Sequence, residues 1–266
     1  MTVELMKKIE EYLKHKETPL FGIASAERLN QIAPEGFRPE DVLPGAKSVL
    51  IFAKPAPLAN YMAPVNEDLR SFYVTSYHTH YRGANEVANS ICFMLEEAGF
   101  LSLPIPSYSP LKFENGHYNG MISLKHAAVE AGLGKIGKNT LLIHPERGNN
   151  LRFGGLITTL ELPSDGVKSF PELCPEGCTI CYEVCPVNAL SDEGIDHLKC
   201  MSHCIKHTFL PPLWIMKIMR TMCSKRFLNL FAMSFFENYG VNCCECLKKC
   251  PHFPGFDLKD AVNPKK

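Results

Sequence analysis

Along the first 160 positions the apolar residues follow two alternating rhythms. Leu5, Ile9 and Leu13 recur at helical spacing, while residues 20–24 and 48–53 are short apolar runs of the kind that fill a doubly covered sheet. Residues 85–98 again carry the helical period. Two further apolar runs, 140–144 and 153–162, bracket a turn at Pro145 and Gly148 and predict a hairpin or neighbouring strands. The segment Pro163-Ser164-Asp165-Gly166 then reads as a linker. The pattern predicts an α+β protein, with an N-terminal α/β domain over residues 1–165 and a second domain over 166–266.

Composition narrows the class. Apolar types make up 45% of the 266 residues and charged types 21%, which excludes disorder and fibres. The longest stretch without Asp, Glu, Lys or Arg, residues 98–111, has 14 positions and three prolines, too short and broken to span a bilayer. The first eleven residues mix acids and bases over a helical period, unlike a secretory signal, so a cytoplasmic location is expected. Lys plus Arg and Asp plus Glu both total 28, which offers no net positive charge for nucleic acid.

The cysteines change the picture most. Eleven of the 12 lie after residue 173, and in a reducing compartment so many thiols point to metal or catalysis rather than to disulfides. Cys178, Cys181 and Cys185-Pro186 keep the spacing of a bacterial ferredoxin run, in which the Cys before Pro serves the other cluster. Cys243, Cys246 and Cys250-Pro251 repeat that pattern. Crossing the two Cys-Pro residues assigns Cys174, Cys178, Cys181 and Cys250 to one 4Fe-4S cluster and Cys185, Cys200, Cys243 and Cys246 to a second. Cys92, Cys204, Cys223 and Cys244 are left as buried small hydrophobes, with Cys204 and Cys244 the nearest substitutes for an assigned ligand. Zinc sites commonly join two separated cysteine pairs and match this pattern less well. A ferredoxin-like domain carrying two 4Fe-4S clusters is expected.

The segment Ala131-Gly132-Leu133-Gly134-Lys135-Ile136-Gly137-Lys138-Asn139-Thr140-Leu141-Leu142-Ile143 places three glycines between a predicted helix and a strand. Glycine lets backbone approach a bulky ligand, and it equally serves a tight structural turn; both readings stand on the sequence. The segment is neither a dinucleotide fingerprint nor a P-loop.

Taken with the double cysteine module, this segment resembles the epoxyqueuosine reductase family, relatives of the reductive dehalogenases, over about residues 70–255. The resemblance implies a nitroreductase-like N-terminal domain that holds a cobalamin, with Gly132, Gly134, Lys135, Ile136, Gly137 and Asn139 at the cofactor. His80, in Tyr77-His78-Thr79-His80-Tyr81 before the predicted helix, is the counterpart of a family histidine. The family's catalytic Asp aligns with Tyr118, and no Asp occurs between Asp68 and Asp165, so a proton would come from Tyr118, His117 or Glu114. Electrons would enter singly from a ferredoxin or flavodoxin and pass through both clusters to the corrinoid.

The neutral charge, the missing Asp and the absence of the family's C-terminal helical repeats make tRNA an unlikely partner and favour a small-molecule or modified-cofactor substrate. The alternatives are a flavin on the same scaffold, or an electron-transfer protein that docks a redox partner without a corrinoid. Residues 207–239 are rich in Met, Phe and Leu. The five Lys and Arg from Lys206 to Arg226 have no acid among them, which suits core packing or contact with a partner or membrane surface.

Overall fold

The computed structural model describes residues 2–62, 67–108, 111–114, 117–204, 213–228 and 243–254. Its centre is a four-stranded antiparallel sheet in the order β1-β2-β8-β3, formed by β1 (Leu20–Ser25), β2 (Ser48–Pro55), β8 (Leu151–Thr158) and β3 (Ser102–Ile105). Side chains alternate across the strands, so β2 sends Leu50 and Phe52 to one face and Val49, Ile51 and Ala53 to the other. On the first face α1 (Thr2–His15) packs Leu5, Ile9 and Leu13, and α5 (Glu67–Glu97) packs Val87, Ile91 and Leu95. On the second lie α2 (Ala26–Ile32) and α6 (Leu124–Glu130), with Leu29, Ala127 and Ala128 in the core. Covering both faces explains why β2 is apolar throughout instead of alternating.

Glycines let the layers close. A Cβ at Gly154 would stand 2.6 Å from the Phe52 ring, and one at Gly22 would stand 2.6 Å from the Ala131 carbonyl at the end of α6. Short elements α3 (Pro39–Val42) and α4 (Ala59–Met62) flank β2. A hairpin of β4 (Leu111–Glu114) and β5 (His117–Gly120) precedes α6, and a two-residue ladder of β6 (Lys135–Ile136) and β7 (Leu142–Ile143) follows it. The cysteine-bearing remainder contains α7 (Ile180–Glu183), a ladder of β9 (Leu190–Ser191) and β10 (Gly194–Ile195), α8 (His197–Cys204), α9 (Leu213–Met222) and α10 (Glu245–Lys248).

Three expectations need correction. The runs at 140–144 and 153–162 do not pair. A bridge between His144 and Gly148 closes the turn on itself, and β8 runs on to insert between β2 and β3. Tyr77 to Tyr81 lie inside α5 and not before it, because the helix starts at Glu67. Residues 163–166 are no free linker: the Ile23 N–H donates to Asp165 Oδ2 at 2.7 Å and the Asp165 N–H to the Ile23 carbonyl at 2.9 Å, which occupies part of the outer edge of β1.

Candidate functional site: two thiol quartets on one loop

The assigned cysteines lie close enough to influence one another, mostly within two sets. Burial pushes the Cys181 thiol up, and the nearby Cys178, Cys174 and Cys250 add to the shift. Cys250 is raised by burial and by Cys174 and Cys178. In the second group burial raises Cys243, with Cys200 and Cys185 as its sulfur neighbours. Burial also pushes Cys246 up to about 12, and Cys200, Cys243, Cys185 and, from the other set, Cys181 contribute. Thiols that raise one another in this way are short of counter-charge, the condition that iron relieves. Among the described residues no three His, Cys, Asp or Glu side chains converge on a single ion. A tetrahedral zinc site would need four sulfurs about 3.8 Å apart, whereas a cubane spreads its thiolates around a larger body. Eight assigned thiols are the number that two four-thiolate clusters need.

The leftover thiols divide. Cys92 is buried inside α5, and burial pushes it up to about 12. Cys244 packs with Ala56, Tyr61 and Leu247 and is pushed up to about 11, chiefly by burial. Cys204 sits one helical turn from Cys200 with the sulfurs 3.9 Å apart, so the two share one corner of the second quartet.

Both quartets rest on the loop 137–150. The Lys138 N–H donates to Cys174 Sγ at 3.4 Å, and its ammonium donates to the Cys178 carbonyl at 3.2 Å. Buried Asn139 donates its side-chain amide to the Cys246 carbonyl at 3.2 Å, and Asn149 donates to the Leu247 carbonyl at 3.3 Å. Half-buried Lys125 holds the loop through the Thr140 carbonyl at 2.7 Å, where Thr140 takes φ 62°. The glycines have packing duties here. A Cβ at Gly134 would stand 2.2 Å from the Ile143 carbonyl, and one at Gly137 would stand 2.6 Å from the Ile143 side chain and 3.4 Å from Cys174 Sγ. Lys135 and Ile136 form β6.

His80 lies elsewhere. It is half-buried and lines a cavity of about 560 Å³ together with Lys54, Arg152, Phe52 and Lys16, and none of residues 132–140 joins that lining. Burial lowers its pKa, and Arg152 and Lys54 lower it further. Arg152 donates to Tyr61 Oη at 2.6 Å and lies 5.8 Å from the Tyr77 ring. Tyr77, Tyr81 and Tyr108 form a ring cluster beside it, with centroids 4.7–5.3 Å apart. His117 and Tyr118 are on β5, which packs near α8; Glu114 pairs with His117 across the hairpin. Sequence reasoning missed Arg152, Lys54, the tyrosine cluster and Asn149. A lone arginine within the otherwise apolar run of β8 was the available signal.

The exposed side of α9 carries Trp214 (63% exposed), Ile218 and Met222 (80%), with Lys217, Arg220, Lys225 and Arg226 also exposed. Residues 205–212 and 229–242 of the proposed surface segment lie outside the described residues. Among the described residues no helix is long and apolar enough to cross a membrane.

No family profile matches the chain. It is 27% identical over 229 residues to the epoxyqueuosine reductase of Bacillus cereus, an alignment that covers 83% of this chain and 52% of that protein. The chain thus spans about half the length of the curated relatives it matches. An epoxyqueuosine reductase solved with an epoxyqueuosine-modified tRNA stem loop matches over 97% of this chain and 68% of that one, with a TM-score of 0.61 and 19% identity. A reductive dehalogenase whose structure suggests a mechanism for B12-dependent dehalogenation matches over 96% of this chain and 36% of that one, with a TM-score of 0.57 and 15% identity.

The stem-loop complex corrects the expectation that tRNA is an unlikely partner. Formal net charge is a sum over the whole chain, whereas a stem loop needs only a local group of cations. Exposed Lys217, Arg220, Lys225 and Arg226 show that such a group coexists with a net charge of zero. By sequence the chain is a relative of the epoxyqueuosine reductases, and it shares its fold with them and with the reductive dehalogenases.

Proposed function

We propose that this chain is an iron–sulfur reductase in which electrons from a ferredoxin or flavodoxin cross two 4Fe-4S clusters to a corrinoid held by the sheet domain. The observation that supports the reading is the set of hydrogen bonds from one loop, 137–150, to the segments of both thiol sets, a seat that would hold two clusters against the sheet.

The residues present fit a corrinoid. The side-chain carbonyl oxygens of Asn149 and Asn150, outside the lining of the His80 cavity, are buried without a hydrogen-bond donor. Lys54, Arg152 and His80 around the cavity can meet its polar groups, and Phe52 and Val87 its apolar face. When bound, the corrinoid supplies a strongly reducing metal centre. The chain's own side chains orient the substrate and move protons. Depressed in basicity by burial and two cations, His80 stays neutral and accepts hydrogen bonds near neutral pH. Tyr118 on β5 is the proposed proton donor, with His117 beside it.

The first substrate to test is an epoxyqueuosine-bearing tRNA stem loop, with small epoxides and organohalides next. Anaerobic reconstitution followed by iron and sulfide counts and an ultraviolet-visible spectrum tests the cofactor reading. About eight iron with a corrinoid spectrum is expected; a flavin spectrum, or clusters alone, refutes it. Mass spectrometry of tRNA nucleosides from a complemented strain lacking epoxyqueuosine reductase then decides the substrate.

A further inference from the structure

We infer that Lys138 raises the reduction potential of the cluster held by Cys174, Cys178, Cys181 and Cys250 above that of its neighbour. The inference rests on reading the two quartets as cubane ligands. A cubane with four thiolates is an anion that gains a further negative charge on reduction, so a fixed cation nearby favours the reduced state. Lys138 is tied to this quartet three times. Its N–H donates to Cys174 Sγ at 3.4 Å, its ammonium donates to the Cys178 carbonyl at 3.2 Å, and Nζ lies 6.0 Å from the centroid of Tyr182, the residue after Cys181. An N–H donated to a ligand sulfur favours reduction as well, but the second quartet has its own, from the Ala189 N–H to Cys185 Sγ at 3.2 Å, so the difference between the clusters rests on the ammonium.

Among the described residues the two quartets differ in how the nearby lysine is compensated. Among the described residues no carboxylate pairs with Lys138. Lys135 lies 3.9 Å from Glu172. Lys248, on the helix that follows Cys243 and Cys244, lies 2.9 Å from Glu245, so the second quartet meets a neutralised pair. Glu172, Glu176 and Glu183, on the same stretch as Cys174, Cys178 and Cys181, are exposed, and water and salt screen them. The half-buried ammonium of Lys138 is screened less. The first electron to arrive therefore comes to rest on the Cys174 cluster.

The test is a mediated dithionite titration followed by electron paramagnetic resonance on anaerobically reconstituted wild type, Lys138→Gln, Lys138→Met and Lys138→Arg. Iron and sulfide are counted in every sample. The two neutral variants are expected to keep eight iron and to lower one midpoint only. At the wild-type midpoint of that cluster its reduced-to-oxidised ratio should fall about tenfold, which is ~59 mV for a one-electron step. Lys138→Arg should keep both wild-type values. Unmoved midpoints in fully loaded neutral variants, or equal shifts in both, overturn the inference and leave the cluster assignment standing. Wild type that never holds eight iron overturns the assignment itself.

Discussion

Replacing Gly148 by alanine tests the attachment of the cysteine loops to the sheet domain with a single methyl group. Gly148 has φ 68°, a region that costs an L residue about 1–2 kcal/mol. The new Cβ would also stand 1.9 Å from the carbonyl oxygen of His252 and 3.1 Å from its carbon, and a main-chain carbonyl cannot swing aside as a flexible side chain can. Relieving that overlap moves His252 away. The bond from the Asn149 N–H to that carbonyl, 3.3 Å long, then breaks, and the Asn149 side-chain bond to the Leu247 carbonyl is strained with it. At about 1 kcal/mol for each bond the total reaches roughly 3–4 kcal/mol. The damage is directional. The His252 ring is bonded to the Leu173 carbonyl, so the displaced segment links Cys250 to Cys174, both in the first quartet. Gly148→Ala should therefore lose about four of eight iron, keep the circular dichroism of the sheet domain and melt roughly 6–16 °C lower. Eight iron and a melting point within about 2 °C of wild type would refute the reasoning.

Two further outcomes are expected. Cys250→Ser should lose the cluster built on Cys174, Cys178 and Cys181, although it lies some 70 residues downstream, and iron analysis with electron paramagnetic resonance should show the other cluster intact; loss of the second cluster instead would show that the Cys-Pro residues do not cross. His80 should titrate below the ordinary histidine value of 6.5. An unfolded chain then takes up a proton that folded His80 refuses, so stability falls as pH drops from about 6.5 to the folded value and levels off below it. Proton NMR of the His80 ring checks this, and Arg152→Gln should raise the midpoint; an unchanged midpoint would remove Arg152 as a cause.

How far the sequence could be read depended on whether the signal was local. β2 was legible because a strand covered on both faces is an unbroken apolar run, and the last half of α5 because its buried face has a clear period. The first half of α5 was not, since Tyr77, His78, Thr79 and His80 are weak helix formers whose helical state follows from packing. β8 was misplaced for a similar reason. Its partners are strands about 50 and 100 residues upstream, and nothing next to it in the chain names them. The grouping of the thiols could be read because cluster ligation imposes fixed short spacings. The cavity at His80 could not, because Tyr12, Lys54, His80 and Arg152 come from four elements spread over 140 residues. The glycine segment was ambiguous in the sequence, and a neighbour supplies the packing reason: Ile143 crowds any Cβ at Gly134 or Gly137.

The contacts that seat the cysteine loops have an evolutionary side. Lys138, Asn139 and Asn149 all donate to main-chain carbonyls, those of Cys178, Cys246, Leu247 and His252. A carbonyl is present whatever residue occupies the position, so the loops can exchange most of their side chains between the ligands without loosening their seat. The burden of identity falls on the other partner, where Gly148 and the two asparagines have no such freedom. Divergence should therefore be lopsided, rapid on the metal-bearing side and slow along 137–150. A cluster module borrowed from a distant relative should seat on this chain as long as that short loop is kept.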